Sequence, residues 1–224
     1  VLPINSECGL IEIVPNAHTL YEIKEEMNFS LQNYILNSNK QDTINSIRKR
    51  FMKSTAAYCV ITYLLGIGDR HLDNIMVTND GVLFHIDYGF ILGLDPKPLA
   101  PSMRITSEMV DAIGGINSSH YQEFKEICSI AYNCLRRNCN IFMNMLLLLP
   151  DASPPINKNK ISINRKQLKD EIVKRFLPGQ NYTEAKLHLA QKMDTSSQLY
   201  SSLIDFFHYH NKEDTFHLKS ITKS

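Results

Sequence analysis

The stretch Gly66-Ile-Gly-Asp-Arg-His-Leu-Asp-Asn74 decides the fold, together with His85-Ile-Asp-Tyr-Gly89 a short distance further along the chain. Between them lie two β-type runs, at 75–78 and 82–86, separated by Asn79-Asp-Gly81. Asn, Asp and Gly tolerate the positive φ angles that tight turns between antiparallel strands require. The sequence therefore predicts a short β-hairpin that joins the two polar motifs.

The register of this hairpin brings polar side chains together at its open end. If the turn centres on Asp80, Asn74 lies beside Asp87, with Asp69 and His71 close by. One amide oxygen and one carboxylate are too few for an all-protein metal site. They suit Mg²⁺, or Mn²⁺, when nucleotide phosphates and water complete its coordination. The motifs therefore predict a phosphoryl-transfer site.

The remaining chain is predicted to be mostly helical. Apolar periodicity and Gly or Pro boundaries predict a strand at 9–14, a proline-rich loop at 88–104, and helices at 19–27, 42–65, 107–113, 119–139, 141–149, 165–176, 183–193 and 196–210. Asp42 is the predicted N-cap of the long helix, which is apolar on nearly every face from Ala56 onward and should be central. These features predict an α+β fold, mostly helical, in which the hairpin carries the metal ligands.

The composition of the 224-residue chain excludes several classes of protein. Its 24 Lys and Arg balance 23 Asp and Glu, so no broad electrostatic attraction to nucleic acid is expected. The five cysteines, odd in number and without a C-x-x-C pair, are expected to be buried thiols in a reducing compartment. The longest apolar runs are shorter than the ~20 residues of a membrane-spanning helix, which predicts a cytosolic or peripheral protein.

The order of the catalytic-type residues differs from that of protein kinases. A protein-kinase loop reads H-R-D-x-x-x-x-N before D-F-G, whereas this chain reads Asp69-Arg-His-x-x-Asn74 before Asp87-Tyr-Gly89. This inverted order closely resembles the phosphatidylinositol 3-/4-kinase superfamily, and similar segments continue at 9–14, 108–115, 121–124 and 135–137. Residues 95–104 are most similar to class III phosphatidylinositol 3-kinases, whereas Tyr58-Cys-Val60 is more similar to class I.

The resemblance implies the hinge and C-terminal lobe of a two-lobe, protein-kinase-like catalytic domain. Residues 1–15 would be the end of an N-terminal-lobe strand and the hinge, and residues 16–224 the C-terminal lobe. That lobe would contain a catalytic loop at 66–74, an activation loop at 87–104 and a C-terminal helical region at 165–212. The N-terminal lobe would come from the rest of a parent chain, so the segment alone is expected to be inactive.

The resemblance also implies roles for the polar residues. His71 would be the general base that takes the proton of the inositol 3-hydroxyl, a task suited to a side chain that titrates near neutral pH. Asn74 and Asp87 would bind Mg²⁺, Asp69 would orient the loop or share the base role, and Arg70 would be structural. The enzyme would transfer the γ-phosphate of ATP to the 3-hydroxyl of phosphatidylinositol.

The nucleotide would be bound at the hinge and the hairpin. The backbone C=O of Glu12 and the N–H of Val14 would pair with adenine. Met76 and Ile86, from paired strands, would form the apolar floor under the ring. These four residues are the implied contacts with adenine.

The activation loop permits a charge argument about the lipid. Between Tyr88 and Arg104 it carries two cations, Lys97 and Arg104, which are the expected headgroup contacts. Two cations suit the single phosphodiester of plain phosphatidylinositol, whereas extra headgroup phosphates would call for a cluster of Lys and Arg. The expected partners are phosphatidylinositol in membranes and a regulatory subunit, but not nucleic acid. The expected location is the cytoplasm, peripheral on endomembranes.

Other interpretations stay open at this point. A phosphatidylinositol 4-kinase, a related protein Ser/Thr kinase and a non-catalytic scaffold are the alternative functions. His85 is interpreted as a core histidine, and Arg136 and Arg137 as a solvated or salt-bridged helix face. The predicted C-terminal helix has an apolar stripe that would pack in the core or dip into a membrane interface. The stripe consists of Leu199, Leu203, Phe206 and Phe207.

Overall fold

The computed structural model describes residues 1–5, 7–38, 42–97, 100–148 and 164–197. The strands are β1 (Leu2–Pro3), β2 (Gly9–Leu10), β3 (Ala17–Thr19), β4 (Ile75–Thr78) and β5 (Leu83–His85). The α-helices are α1 (Leu31–Ser38), α2 (Ile44–Leu65), α3 (Ser107–Ile113), α4 (Ser119–Arg136), α5 (Cys139–Leu146), α6 (Arg165–Phe176) and α7 (Tyr182–Ser197). There are also a π-helix (Glu22–Glu26) and a 3-10 helix (Leu72–Asn74). The protein is therefore of the α+β class and mostly helical, as predicted.

The predicted hairpin is present and lies within a three-stranded antiparallel sheet of order β3-β4-β5. Met76 lies opposite Phe84, and the Ile86 N–H donates to the Asn74 carbonyl over 3.0 Å, which is the register that a turn at Asp80 requires. The core-facing side of the hairpin consists of Ile75, Val77, Leu83 and His85. Strand β3 was not predicted, because three residues are too few to show an alternating pattern.

Helix α2 is the central helix that the sequence predicts. Its N-cap is Thr43, whose side chain accepts a hydrogen bond from the Ser46 N–H, rather than the predicted Asp42. Asp42 instead pairs with Arg50, at 2.8 Å. Gly66 ends the helix with a left-handed φ of 57°, a conformation that costs glycine no Cβ strain. This cap places the predicted catalytic loop directly after the last helical turn.

Other element boundaries differ from the predicted ones. The segment predicted as a helix at 19–27 contains the π-helix, and α1 was not predicted. The strand expected at 9–14 covers only Gly9–Leu10. The helices predicted at 107–113 and 165–176 match α3 and α6. Helix α7 continues to Ser197, and the apolar stripe expected beyond it lies outside the described residues.

The end of α4 corrects the interpretation of Arg136. This side chain is only 7% exposed, and its guanidinium donates to carbonyl oxygens in the turn between α6 and α7. The acceptors are the carbonyls of Leu177, Gln180 and Asn181. Arg137 is exposed, as expected. The expectation of a solvated face was wrong for Arg136, because a helical pattern does not show which distant turn packs against the end of a helix.

The core lies between α2, α4 and the hairpin, with α6 packed against α2. Cys59, Cys128 and Cys139 are buried, as expected, whereas Cys8 and Cys134 are exposed. Burial raises the pKa of the Cys59 thiol to about 12, so this thiol stays protonated at neutral pH. Along the described ranges, no helix combines the length and the hydropathy needed to cross a membrane.

Candidate active site

Close backbone packing sets the course of the loop that follows α2. The Gly68 N–H donates to the Phe90 carbonyl over 2.9 Å. A Cβ atom on Gly68 would lie 2.2 Å from the Leu94 carbonyl oxygen, so a larger residue would force the backbone to shift. The loop therefore runs in direct contact with the segment predicted to be the activation loop. Asp69 follows with a left-handed φ of 54°, which Asp tolerates better than most residues.

Arg70 fastens the open end of the hairpin to this loop. Its buried guanidinium donates to the carbonyls of Gly68 (2.8 Å), Ile86 (2.6 Å) and Asp87. Burial lowers the pKa of Arg70, while nearby tyrosine and aspartate groups act to raise it. These bonds give Arg70 the structural role that the sequence predicts.

Asn74 fixes the orientation of His71. The Asn74 side-chain amide faces the Asp69 carbonyl at 2.8 Å, and since that oxygen can only accept, the facing atom is Nδ2. The same Nδ2 lies 3.1 Å from His71 Nε2, so Nε2 is the acceptor nitrogen of a neutral imidazole. The proton is then on Nδ1, which lies 3.6 Å from a carboxylate oxygen of Asp73. In this tautomer Nε2 is the basic atom.

Asp87 lies beside Asn74 at the end of the hairpin, as the backbone bond between Ile86 and Asn74 requires. The Asp87 residue is exposed, has a left-handed φ of 55°, and accepts the Gly89 N–H at Oδ1 over 3.0 Å. Because Asn74 uses Nδ2 within the loop, its Oδ1 is the atom suited to a cation. Among the described residues, no group of three or more His, Cys, Asp and Glu could hold a metal alone. The two side chains therefore fit a cation such as Mg²⁺ that takes its other ligands from phosphate and water.

The two cations of the predicted activation loop are placed differently. The Lys97 ammonium lies 3.7 Å from a carboxylate oxygen of Asp69, beside the catalytic loop. Arg104 is only 3% exposed and belongs to a run of buried residues at 103–106. Its burial corrects the expectation that Arg104 contacts a headgroup, because its position in a loop did not reveal that the chain re-enters the core there.

The residues expected to bind the nucleotide lie in two places. Met76 and Ile86 lie on the side of the hairpin opposite the core, as the two-residue period of strands requires. Met76 is partly exposed and Ile86 is exposed. Glu12 and Val14 lie in exposed, irregular chain after β2. The structure thus brings the two apolar residues together on one surface.

His85 is a core residue, as predicted. It is 4% exposed, and its ring stacks on Tyr58 with the ring centroids 5.2 Å apart. Burial, together with Arg70 and Arg104, lowers the pKa of His85 to about 3, so the ring is neutral at pH 7. A neutral, stacked imidazole is not a candidate base.

Two carboxylates, one within the catalytic loop and one that contacts it, were not predicted as site residues from the sequence. Asp73 lies beside His71, and Asp95 accepts the Asp69 N–H at 3.0 Å. Asp73 is inside the motif, so its position was the only available signal. Asp95 is remote in sequence from Asp69, and nothing in the pattern indicated that the two would meet.

A loop with Asp, His and Asn, packed against an Asp-Tyr-Gly turn at the end of a hairpin, has the chemistry of a kinase-like phosphoryl-transfer site. The family model described as phosphatidylinositol 3- and 4-kinase matches residues 1–158, which is more than half of the chain. The chain therefore belongs to the phosphatidylinositol 3- and 4-kinase family, as its motifs suggested.

Curated relatives in this family are named phosphatidylinositol 3-kinases. The chain is 37% identical to phosphatidylinositol 3-kinase pik3 of Schizosaccharomyces pombe over 209 residues, which cover 89% of the chain and 26% of the relative. It is 36% identical to phosphatidylinositol 3-kinase VPS34 of Saccharomyces cerevisiae over 213 residues, or 93% of the chain and 24% of the relative. For the root isoform of Glycine max the identity is 43% over 160 residues, or 69% of the chain and 19% of the relative. The chain thus spans about a quarter or less of the length of these relatives.

Proposed function

We propose that this chain is the C-terminal catalytic lobe of a phosphatidylinositol 3-kinase, which transfers the γ-phosphate of ATP to the 3-hydroxyl of phosphatidylinositol. The observation that carries the proposal is the geometry of His71, whose Nε2 is held as an acceptor beside Asn74. The Asn74 carbonyl in turn accepts the N–H of Ile86, the residue before Asp87. Similarity to relatives named phosphatidylinositol 3-kinases, over as much as 93% of the chain, favours a lipid substrate. The resemblance of residues 95–104 to class III phosphatidylinositol 3-kinases supports the proposal that the enzyme belongs to class III.

In the proposed mechanism the catalytic loop removes the proton of the inositol 3-hydroxyl. His71 accepts the proton of the 3-hydroxyl at Nε2, where the hydroxyl replaces the Asn74 N–H as the hydrogen-bond donor. The hydroxyl oxygen bonds to the γ-phosphorus as the bond from that phosphorus to ADP breaks. Asp73, 3.6 Å from Nδ1, and Asp69, 3.8 Å from Nε2, stabilise the imidazolium that results. Asp69 also orients the loop, because its carbonyl accepts the Asn74 side-chain N–H and the His71 backbone N–H. Asn74 Oδ1 and the Asp87 carboxylate are the groups that would hold Mg²⁺, which when bound neutralises charge on the transferring phosphate.

The same proposal covers both substrates. Glu12 C=O and Val14 N–H pair with adenine, and Met76 and Ile86 form the apolar floor. Lys97 is the headgroup contact, because its ammonium lies beside the catalytic loop, where a bound phosphodiester would be close to the reacting hydroxyl.

The chain is proposed to work as part of a larger enzyme. Residues 1–15 act as the hinge and residues 16–224 as the C-terminal lobe, with the catalytic loop at 66–74 and the activation loop at 87–104. An N-terminal lobe elsewhere in the full-length protein supplies further ATP contacts, and a regulatory subunit is a proposed partner. We place the enzyme in the cytoplasm, on the surface of endomembranes that contain phosphatidylinositol.

The test uses the complete gene product with ATP, Mg²⁺ and vesicles that contain phosphatidylinositol. The wild type is expected to form phosphatidylinositol 3-phosphate, and Asp87→Asn is expected to lower kcat at least about 100-fold because a charged oxygen ligand is lost. Asp194→Asn is the matched control, because Asp194 is an exposed residue of α7 that pairs with Lys125 of α4. The Asp194→Asn enzyme should keep full activity. A 4-phosphate product, or protein phosphorylation without a lipid product, would refute the proposal.

A further inference from the structure

The catalytic loop and the activation loop cross in direct backbone contact. At the crossing, Gly68 faces Leu94 and Asp95, and a Cβ on Gly68 would lie 2.2 Å from the Leu94 oxygen and 2.9 Å from the Asp95 Cα. A backbone hydrogen bond from Gly68 to Phe90 runs alongside. The two loops are therefore packed directly against each other at this point.

The Asp95 side chain spans the crossing. Its Oδ2 accepts the backbone N–H of Asp69 over 3.0 Å, and its Oδ1 accepts the N–H of Lys97 over 2.8 Å. One carboxylate thus binds an amide from each loop, with a different oxygen for each. Asp69 has a φ of 54°, a conformation that L-residues other than Asn and Asp rarely adopt, so an external bond helps to hold it.

The position of Asp69 sets the remainder of the site. Its carbonyl accepts the Asn74 side-chain N–H at 2.8 Å and the His71 backbone N–H at 3.1 Å. Asn74 in turn faces His71 Nε2 at 3.1 Å. On the other side, the Lys97 ammonium lies 3.7 Å from the Asp69 carboxylate. A chain of contacts therefore runs from Asp95 through Asp69 to the proposed base.

We infer that Asp95 is a positioning residue, which carries the conformation of the substrate-binding loop to the catalytic loop through the Asp69 amide. This inference rests on the proposed function for its kinetic consequence. Both carboxylate oxygens of Asp95 bind backbone amides, so its loss should lower the turnover of bound substrates and leave ATP binding nearly unchanged. Asp95→Asn keeps one acceptor oxygen but turns an NH₂ toward the second amide, so it should lie between Ala and the wild type.

The experiment measures kinetics and amide hydrogen exchange on the complete gene product. For Asp95→Ala we expect kcat on phosphatidylinositol vesicles to fall about tenfold, with KM for ATP within about twofold of wild type. Asp95→Asn should give an intermediate kcat. Deuterium uptake in the peptide that covers residues 66–74 should rise in Asp95→Ala. Asp194→Ala, which removes an exposed carboxylate far along the chain, should change neither quantity.

Each outcome decides the inference. A raised KM with an unchanged kcat would overturn it, because Asp95 would then serve substrate binding alone. The inference would also be overturned if deuterium uptake at 66–74 were the same in Asp95→Ala as in the wild type. The hydrogen bond from the Asp69 N–H to Asp95 would then not hold the catalytic loop. If the wild type phosphorylated no lipid, the proposed function would fall, and faster exchange in Asp95→Ala would still support the positioning contact by itself.

Discussion

At the residue scale, the orientation of one amide decides which nitrogen of His71 can act. The Asp69 carbonyl fixes Nδ2 of Asn74, and Nδ2 makes His71 Nε2 the acceptor. The protonated Nδ1 then faces Asp73. A His paired with a carboxylate on its far nitrogen is held in one tautomer and is stabilised when it becomes charged. Asp73 should therefore influence His71 without touching a substrate.

The first prediction concerns Asp73→Asn, which keeps the size of the side chain but removes its charge. We expect kcat for phosphatidylinositol to fall about tenfold, with KM for lipid and ATP within about twofold, because only the protonated His71 loses support. Steady-state kinetics on vesicles measure both constants. Asp111→Asn, an exposed change on α3, serves as the control. An unchanged kcat in Asp73→Asn would show that this carboxylate does not act on His71.

At the element scale, the elements that the sequence predicted carry their own local signals. The hairpin has an Asn-Asp-Gly turn, and α2 has a glycine stop and an apolar surface that continues all round. Strand β3 and the end of α4 depend instead on contacts with distant segments, which a local pattern does not contain. The burial of Arg104 was missed for the same reason.

The candidate site divides in the same way. Asp69, His71, Asn74 and Asp87 could be proposed from the sequence because the hairpin register places them near its open end, and their roles stay predictions. Asp95 could not be named, because it meets Asp69 only through the crossing of two irregular loops. Motif residues are thus readable from sequence, whereas the groups that position them require the fold.

The second prediction concerns the junction of α4 with the turn between α6 and α7. Arg136→Met keeps much of the buried volume but leaves the carbonyls of Leu177, Gln180 and Asn181 without their donor. We expect the free energy of unfolding to fall by about 2 kcal/mol, measured by urea denaturation. Arg137→Met, an exposed change one residue away, should cost less than about 0.5 kcal/mol. Equal midpoints for the two variants would contradict a capping role for Arg136.

At the scale of the whole molecule, charge limits which lipid the site can accept. The chain has a net charge of +1, so it offers no broad attraction to anionic headgroups. Arg104 is buried, and the charge of Lys97 is partly offset by the Asp69 carboxylate 3.7 Å away. The catalytic loop carries the carboxyl groups of Asp69 and Asp73, and that of Asp95 binds the loop from outside. For the proposed function we therefore expect this environment to favour a headgroup that carries one phosphodiester and to disfavour additional phosphates.

The third prediction is therefore a preference among lipids by the complete gene product. On vesicles matched in lipid density, kcat/KM for phosphatidylinositol should exceed that for its 4-phosphate and its 4,5-bisphosphate by at least about tenfold. The reason is that each added phosphate brings about −1.5 to −2 charges, which Lys97 alone cannot balance. Radiolabelled product yield on each lipid measures the ratio. Lys97→Ala should raise KM for phosphatidylinositol several-fold, whereas Lys166→Ala, an exposed change on α6, should leave it unaltered. Equal efficiency on all three lipids would mean that cations from elsewhere in the enzyme bind the headgroup.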